Sequence, residues 1–111
     1  MRLEDHLRGT ASRAPDRIAL IAGDVRLSYR ELDQLSDHMA AGLTLLSVNA
    51  GDRVVILADN TAEAVVAFFA IWKAGAVPCP LHPSVKADKL RAIIDSIQPA
   101  AISAQAKLAS V

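Results

Sequence analysis

The sequence predicts an α/β fold: a partial open, mostly parallel sheet with crossover helices, preceded by a short helix and a β-hairpin. Three observations carry this expectation. The run Val54 to Leu57 is continuously apolar and rich in β-branched residues, which suits a strand covered on both faces, as in a parallel sheet. Leu32, Leu35, Met39, Leu43 and Leu46 recur at spacings of three and four, the stripe of a half-buried helix. From residue 54 to 103 the patterns alternate strand, helix, strand, helix, strand, which is a pair of right-handed crossover units.

Residues 2 to 13 form a short helix in this reading, with Leu3 and Leu7 on one face and Ala14-Pro15-Asp16 at its end, because a residue before proline avoids helical geometry. "RIALIAGDVRLSY" reads as a hairpin, with Ile18 to Ala22 and Val25 to Leu27 joined at Gly23-Asp24. Ser28 and Glu31 have capping-box spacing at the head of the second helix. Asn49-Ala50-Gly51-Asp52 is a turn before the buried strand. Asn60, with Glu63 three residues on, is expected to cap the next helix, which runs to about Ala74. Gly75 then supplies the positive φ of its C-terminus. Val77 to Leu81 is a short strand whose Pro78 and Pro80 lack ladder donors, so that it is expected to lie at an edge or to be irregular. Ser84 is expected to cap a helix carrying Leu90, Ile93 and Ile94, stopped at Gln98-Pro99. Ala100 to Ser103 is a third parallel strand, and the tail "AQAKLASV" is expected to begin another helix.

The composition narrows the function. Of 111 residues, 52% are apolar and 22% charged, a globular balance. Lys+Arg and Asp+Glu both number 12, so the chain lacks the basic surplus that nucleic acid or an anionic membrane demands. No apolar stretch reaches the length of a membrane span. A single cysteine cannot form an internal disulfide and fits a reducing compartment; the expected location is cytoplasmic.

No catalytic machinery is visible in the residues alone. The glycines, at 9, 23, 42, 51 and 75, are too far apart for a G-x-G-x-x-G or P-loop motif. "LADNTAEA" stands at a strand-to-helix junction, where helix N–H groups bind anions, but an Asn cap explains it as well. Cys79 and His82 are three apart, yet a metal would need further soft donors, and only His6 and His38 remain. A buried structural cysteine beside a loop histidine is the simpler reading. Most of the carboxylates, a set that includes Asp33 and Asp37, fall at caps, turns or solvent faces, and nothing marks two of them as a facing acid/base pair. Phe69 and Trp72 read as core packing. Lys73 reads as a charge favouring the negative end of its helix.

Taken in order, these pieces resemble the opening of the adenylate-forming enzymes, the AMP-binding acyl-CoA synthetases with luciferases and peptide-synthetase adenylation domains as relatives. The landmarks are Pro15-Asp16, the Ser28-Tyr29-Arg30-Glu31-Leu32 box, Gly51-Asp52-Arg53-Val54, and Lys73-Ala74-Gly75-Ala76 before a Pro-containing strand; Pro83 and Leu90 match a later stretch. The similarity runs from about residue 10 to the end. It implies a two-step ligase: ATP, with magnesium, and a carboxylate give an acyl-adenylate and pyrophosphate, and a thiol, commonly coenzyme A, takes the acyl group, as in fatty acid metabolism. The family's phosphate loop, adenine motif, ribose-binding aspartate and catalytic lysine have no counterpart in these residues. The resemblance therefore assigns no catalytic, cofactor-binding or metal residue here, and Lys73 matches the family's helix-end lysine.

Residues 1–111 are thus expected to form a single incomplete domain, the N-terminal portion of an AMP-dependent synthetase, truncated and inactive alone. The expected partner is the remainder of the enzyme, or a second copy held through an exposed sheet edge. Two other readings stand beside it: an interaction module completing a separately encoded remainder, and a stand-alone small binding domain.

Overall fold

The computed structural model describes the backbone of residues 3–57, 61–82, 84–104 and 107–110, and side chains from Glu4 to Ile102 within those spans. Helix α1 (Leu3–Arg13) precedes a hairpin of β1 (Ile18–Ala22) and β2 (Val25–Ser28). Helix α2 (Tyr29–Leu45), strand β3 (Arg53–Leu57), helix α3 (Ala62–Lys73), strand β4 (Val77–Leu81), helix α4 (Ala87–Ile97) and strand β5 (Ala101–Ala104) follow, and β6 (Lys107–Ser110) closes the order. The main sheet runs β4-β3-β5-β6. β3 pairs in parallel with both β4 and β5, and β6 pairs antiparallel with β5. The predicted open, mostly parallel sheet is therefore present. The β3-α3-β4 connection runs one way along the sheet and the β4-α4-β5 connection runs back past β3 the other way, so crossovers of the usual right hand place α3 and α4 on opposite faces of it.

Local chemistry accounts for most element ends. In the hairpin, Gly23 alone takes a positive φ, 60°, the Gly-first two-residue turn whose twist matches the flanking strands. The Ser28–Glu31 capping box is complete: Glu31 N–H donates to Ser28 Oγ at 3.1 Å, and Ser28 N–H to Glu31 Oε1 at 3.0 Å. The two bonds from Ser28, backbone first, hold the Glu31 carboxyl below its ordinary range. At the far end of α4, Gln98 turns left-handed at φ 48°, and Arg53 Nη1 donates to the Ile97 carbonyl at 3.2 Å.

The core lies between α2, α3 and one face of the sheet. Leu43, Val54, Ala70, Ile71 and Ala101 are fully buried. Small residues on α3, namely Ala62, Ala64, Ala67 and Ala70, let the helix approach the sheet closely. Val55, on the other face of β3, is also fully buried. None of α4 is fully buried; Leu90, Ile93, Ile94 and Ile97 are half-covered.

Five local expectations are corrected. Asn60 lies outside the described residues, and the cap of α3 is Thr61, which accepts from Ala64 N–H at 3.2 Å. Ser84 does not cap α4: the capping position is Lys86, with no side-chain bond, while Ser84 N–H donates to His82 Nδ1 at 3.1 Å. The tail is a strand: β5 offers an edge of unpaired backbone groups, and pairing satisfies more of them than an isolated helical turn can. Leu35 is 44% exposed while Ser36 is buried. The buried stripe of α2 is Leu32, Ser36 and Leu43, and Ser36 Oγ donates to the Leu32 carbonyl at 2.8 Å, which makes a hydroxyl tolerable there. Trp72 is half-buried, not central. It packs against Phe68 in a tilted contact and against Phe69 edge to face, with ring centroids 5.5 and 5.7 Å away.

Two substitutions check this packing. Trp72→Ala should cost about 2 kcal/mol, below the range for a fully buried aromatic, read as a shift in the urea midpoint. Gly75→Ala should destabilise by about 1–2 kcal/mol, because Gly75 has φ 78°, a conformation that L side chains rarely adopt, while an added Cβ would meet Ala50 only at ordinary contact distance.

Candidate functional site

The C-terminal end of α3 gathers the most concentrated chemistry among the described residues. Lys73 has a side chain only 5% exposed. Its ammonium donates to Asp33 Oδ1 at 2.6 Å, to Asp37 Oδ1 at 2.8 Å and to the Asp33 carbonyl at 2.9 Å. An ammonium has three donors, and these three acceptors use all of them. Asp33 and Asp37 are four apart on α2, so one face presents both carboxylates. Arg8 closes the cluster from outside, donating from Nη2 to Asp37 Oδ1 at 2.8 Å, with Nε 4.0 Å from Asp33 Oδ1. Burial pushes the Asp37 carboxyl upward, but the Lys73 hydrogen bond and charge, then Arg8, outweigh it and hold Asp37 below the ordinary range.

The cluster ties three helices, since Arg8 is on α1, the aspartates on α2 and Lys73 on α3. The helix-dipole role expected for Lys73 is secondary to this buried pairing. Among carboxylates expected mostly at caps, turns or solvent faces, the structure turns Asp33 and Asp37 toward α3. The available signal was the pair of acids spaced by four; their cation lies 40 and 36 positions further on.

Two neighbouring junctions involve the other landmarks. Gly51 N–H donates to the Gly75 carbonyl at 2.9 Å, and Val77 N–H to the Asp52 carbonyl at 2.7 Å. Asp52 also accepts from Asn49 N–H through Oδ2 at 2.8 Å, closing the turn. The Gly51-Asp52 and Lys73-Ala74-Gly75 landmarks are therefore two halves of one knot that sets the register of β3 and β4. Near the first helix, Arg30 N–H donates to the Pro15 carbonyl at 3.1 Å and Tyr29 N–H to the Arg17 carbonyl at 2.9 Å. Arg30 also reaches Asp16 at 3.1 Å, a pair too exposed to contribute much.

Among the described residues no group of three or more His, Cys, Asp or Glu is placed to hold a metal ion. Cys79 is half-buried, less covered than expected, with Sγ 3.9 Å from the Val77 carbonyl. His82 Nδ1 accepts a backbone N–H from Ser84, so the ring proton of the neutral form sits on Nε2. An open hollow of about 480 Å³ lies beside it, lined by Leu81, His82, Ser84, Val85, Lys86, Lys89 and Ile93.

An open α/β sheet with these interlocked landmarks defines the opening layers of an adenylate-forming domain. The family model described as AMP-binding enzyme matches residues 7–110, and the chain belongs to this family of adenylate-forming enzymes. It is 43% identical over 88 residues to the phosphinothricin tripeptide synthetase PhsC of Streptomyces viridochromogenes, covering 79% of this chain and 8% of that one. It is 36% identical over 97 residues to the 2,3-dihydroxybenzoate-AMP ligase of Bacillus subtilis, covering 87% and 18%. The apo structure of Mycobacterium smegmatis MbtA superposes with a TM-score of 0.80 at 39% identity, over 92% of this chain and 19% of that one. The chain thus spans less than a fifth of each of these relatives.

The family uses ATP and magnesium, and the Lys73 cluster does not fit that pair. The donors of Lys73 are saturated, and the carboxylate oxygens nearest it already face cations. No described helix is long and apolar enough to cross a membrane.

Breaking the cluster is expected to be costly and pH-linked. Lys73→Met should lose about 3 kcal/mol, since it leaves two neighbouring carboxylates with only the exposed Arg8 to meet their charge. Lys73→Arg should also destabilise, because a planar fork cannot reproduce three divergent donors. Asp37 has a lowered folded pKa, so its contribution is present above its unfolded value and lost as pH falls through the folded one. Asp37→Asn should accordingly flatten the fall in melting temperature below about pH 4; an unchanged acid limb would remove Asp37 from the account.

Proposed function

We propose that these residues are the scaffold-forming opening of an AMP-forming acid–thiol ligase, with the reacting groups supplied by further segments of the domain. In that reaction ATP activates a carboxylate as an acyl-adenylate with release of pyrophosphate, and a thiol then displaces AMP. The observation that carries the reading is the use made of the landmarks. Gly51 and Asp52, Lys73 and Gly75 are spent on clasps between helices and strands. The partner on this reading is the remainder of the adenylation domain, and the single cysteine favours a cytoplasmic setting.

The named relatives widen the substrate class first drawn from the acyl-CoA synthetases. A tripeptide synthetase and a 2,3-dihydroxybenzoate-AMP ligase favour amino and aryl acids over fatty acids. Coenzyme A becomes one acceptor of a broader thiol class.

Two measurements test the proposal. The isolated 111-residue chain should show no carboxylate-dependent ATP–pyrophosphate exchange; exchange that persists through purification would refute it. A chimaera carrying this chain in place of the matching segment of the Bacillus subtilis 2,3-dihydroxybenzoate-AMP ligase should retain 2,3-dihydroxybenzoate-dependent exchange. A folded chimaera without exchange would show that the segment does more than support.

A further inference from the structure

The outer edge of β4 carries a feature independent of the enzymatic reading. β4 is the terminal strand of its sheet, and its register with β3 pairs Arg53 with Val77, Val55 with Cys79 and Leu57 with Leu81. Val77 N–H points inward, donating to the Asp52 carbonyl at 2.7 Å. Backbone groups alternate sides along a strand, so the amides of Val77, Cys79 and Leu81 face β3. Positions 78 and 80 face outward, and both are proline. Every outward amide position within this five-residue strand therefore lacks a hydrogen.

A strand laid against this edge would meet the carbonyls of Pro78 and Pro80 but no donor. Its own facing carbonyls would lose water without gaining a partner, a penalty larger than the modest gain of a made bond. The need for such protection is visible in the strand, because Val77 is 46% exposed and the other non-proline members are Cys79 and Leu81. With two ordinary residues in place of the prolines, this would be a short apolar edge open to pairing.

We propose that Pro78 and Pro80 close this edge against strand addition by a second copy of the chain. Growth of the sheet, by self-association or by further chain, is thereby confined to the β6 side.

The test restores the donors. Pro78→Thr/Pro80→Thr returns two outward amides on β-compatible polar residues, and Val77→Thr changes a side chain on the same strand without touching the outward amides. Sedimentation equilibrium over a concentration series should show the double variant self-associating at least about tenfold more tightly than wild type, the scale of two recovered backbone bonds. Val77→Thr should match wild type. The proposal is overturned if the double variant is folded by circular dichroism yet associates no more than wild type, or if Val77→Thr associates as strongly as the double variant. Should the double variant not fold, Pro80→Thr, at an exposed position, carries the same test with about a threefold increase expected for one bond.

Discussion

The fold hangs on the last turn of α3. Within five residues the chain buries a cation, ends a helix, reverses in a left-handed glycine and enters a strand. Lys73 holds α2 through Asp33 and Asp37, Gly75 accepts the Gly51 amide, and Val77 donates to Asp52. Because these contacts are adjacent, they cannot be set independently. The position of α3 over Val54 and Ile56, the register of β4 on β3 and the docking of α1 through Arg8 all follow from the same short segment.

This explains why a buried lysine in such a family need not be a reacting one. An ammonium available for chemistry needs a free donor aimed at a ligand. That of Lys73 is enclosed by three oxygen acceptors from one helix. Its burial is tolerable because two carboxylates meet the charge, and the arrangement fixes where α3 ends along α2. Buried charge here specifies geometry more than it adds net stability, since desolvation consumes much of the attraction.

The hairpin, the Ser28–Glu31 box, the buried strand Val54 to Leu57, the Gly75 terminus and the proline-marked edge strand were all legible before any coordinates. Each is governed by backbone rules acting over a few residues: a required φ, a missing N–H, a side-chain oxygen within reach of the next turn. The family likeness was legible too, because its landmarks are mostly these same punctuation residues. The errors fall where local rules tie. Thr61 and Asn60 are both acceptable caps; Ser84 is a good cap whose amide instead donates to His82; the tail had no strong period in either direction.

What depends on distant segments had to await the folded chain. The acid pair Asp33 and Asp37 signals a shared face but not which cation, some forty positions on, will meet it, and nothing in the stripe of α2 says that Ser36 goes inside while Leu35 stays 44% exposed. Which strand lies in the middle of the sheet, which edge remains open and whether Trp72 is central or peripheral are likewise set by how α1, α3 and β5 share the available surface. Short-range stereochemistry is written residue by residue. The meeting of elements separated by tens of residues is settled by competition for burial, and a single sequence records only the competitors.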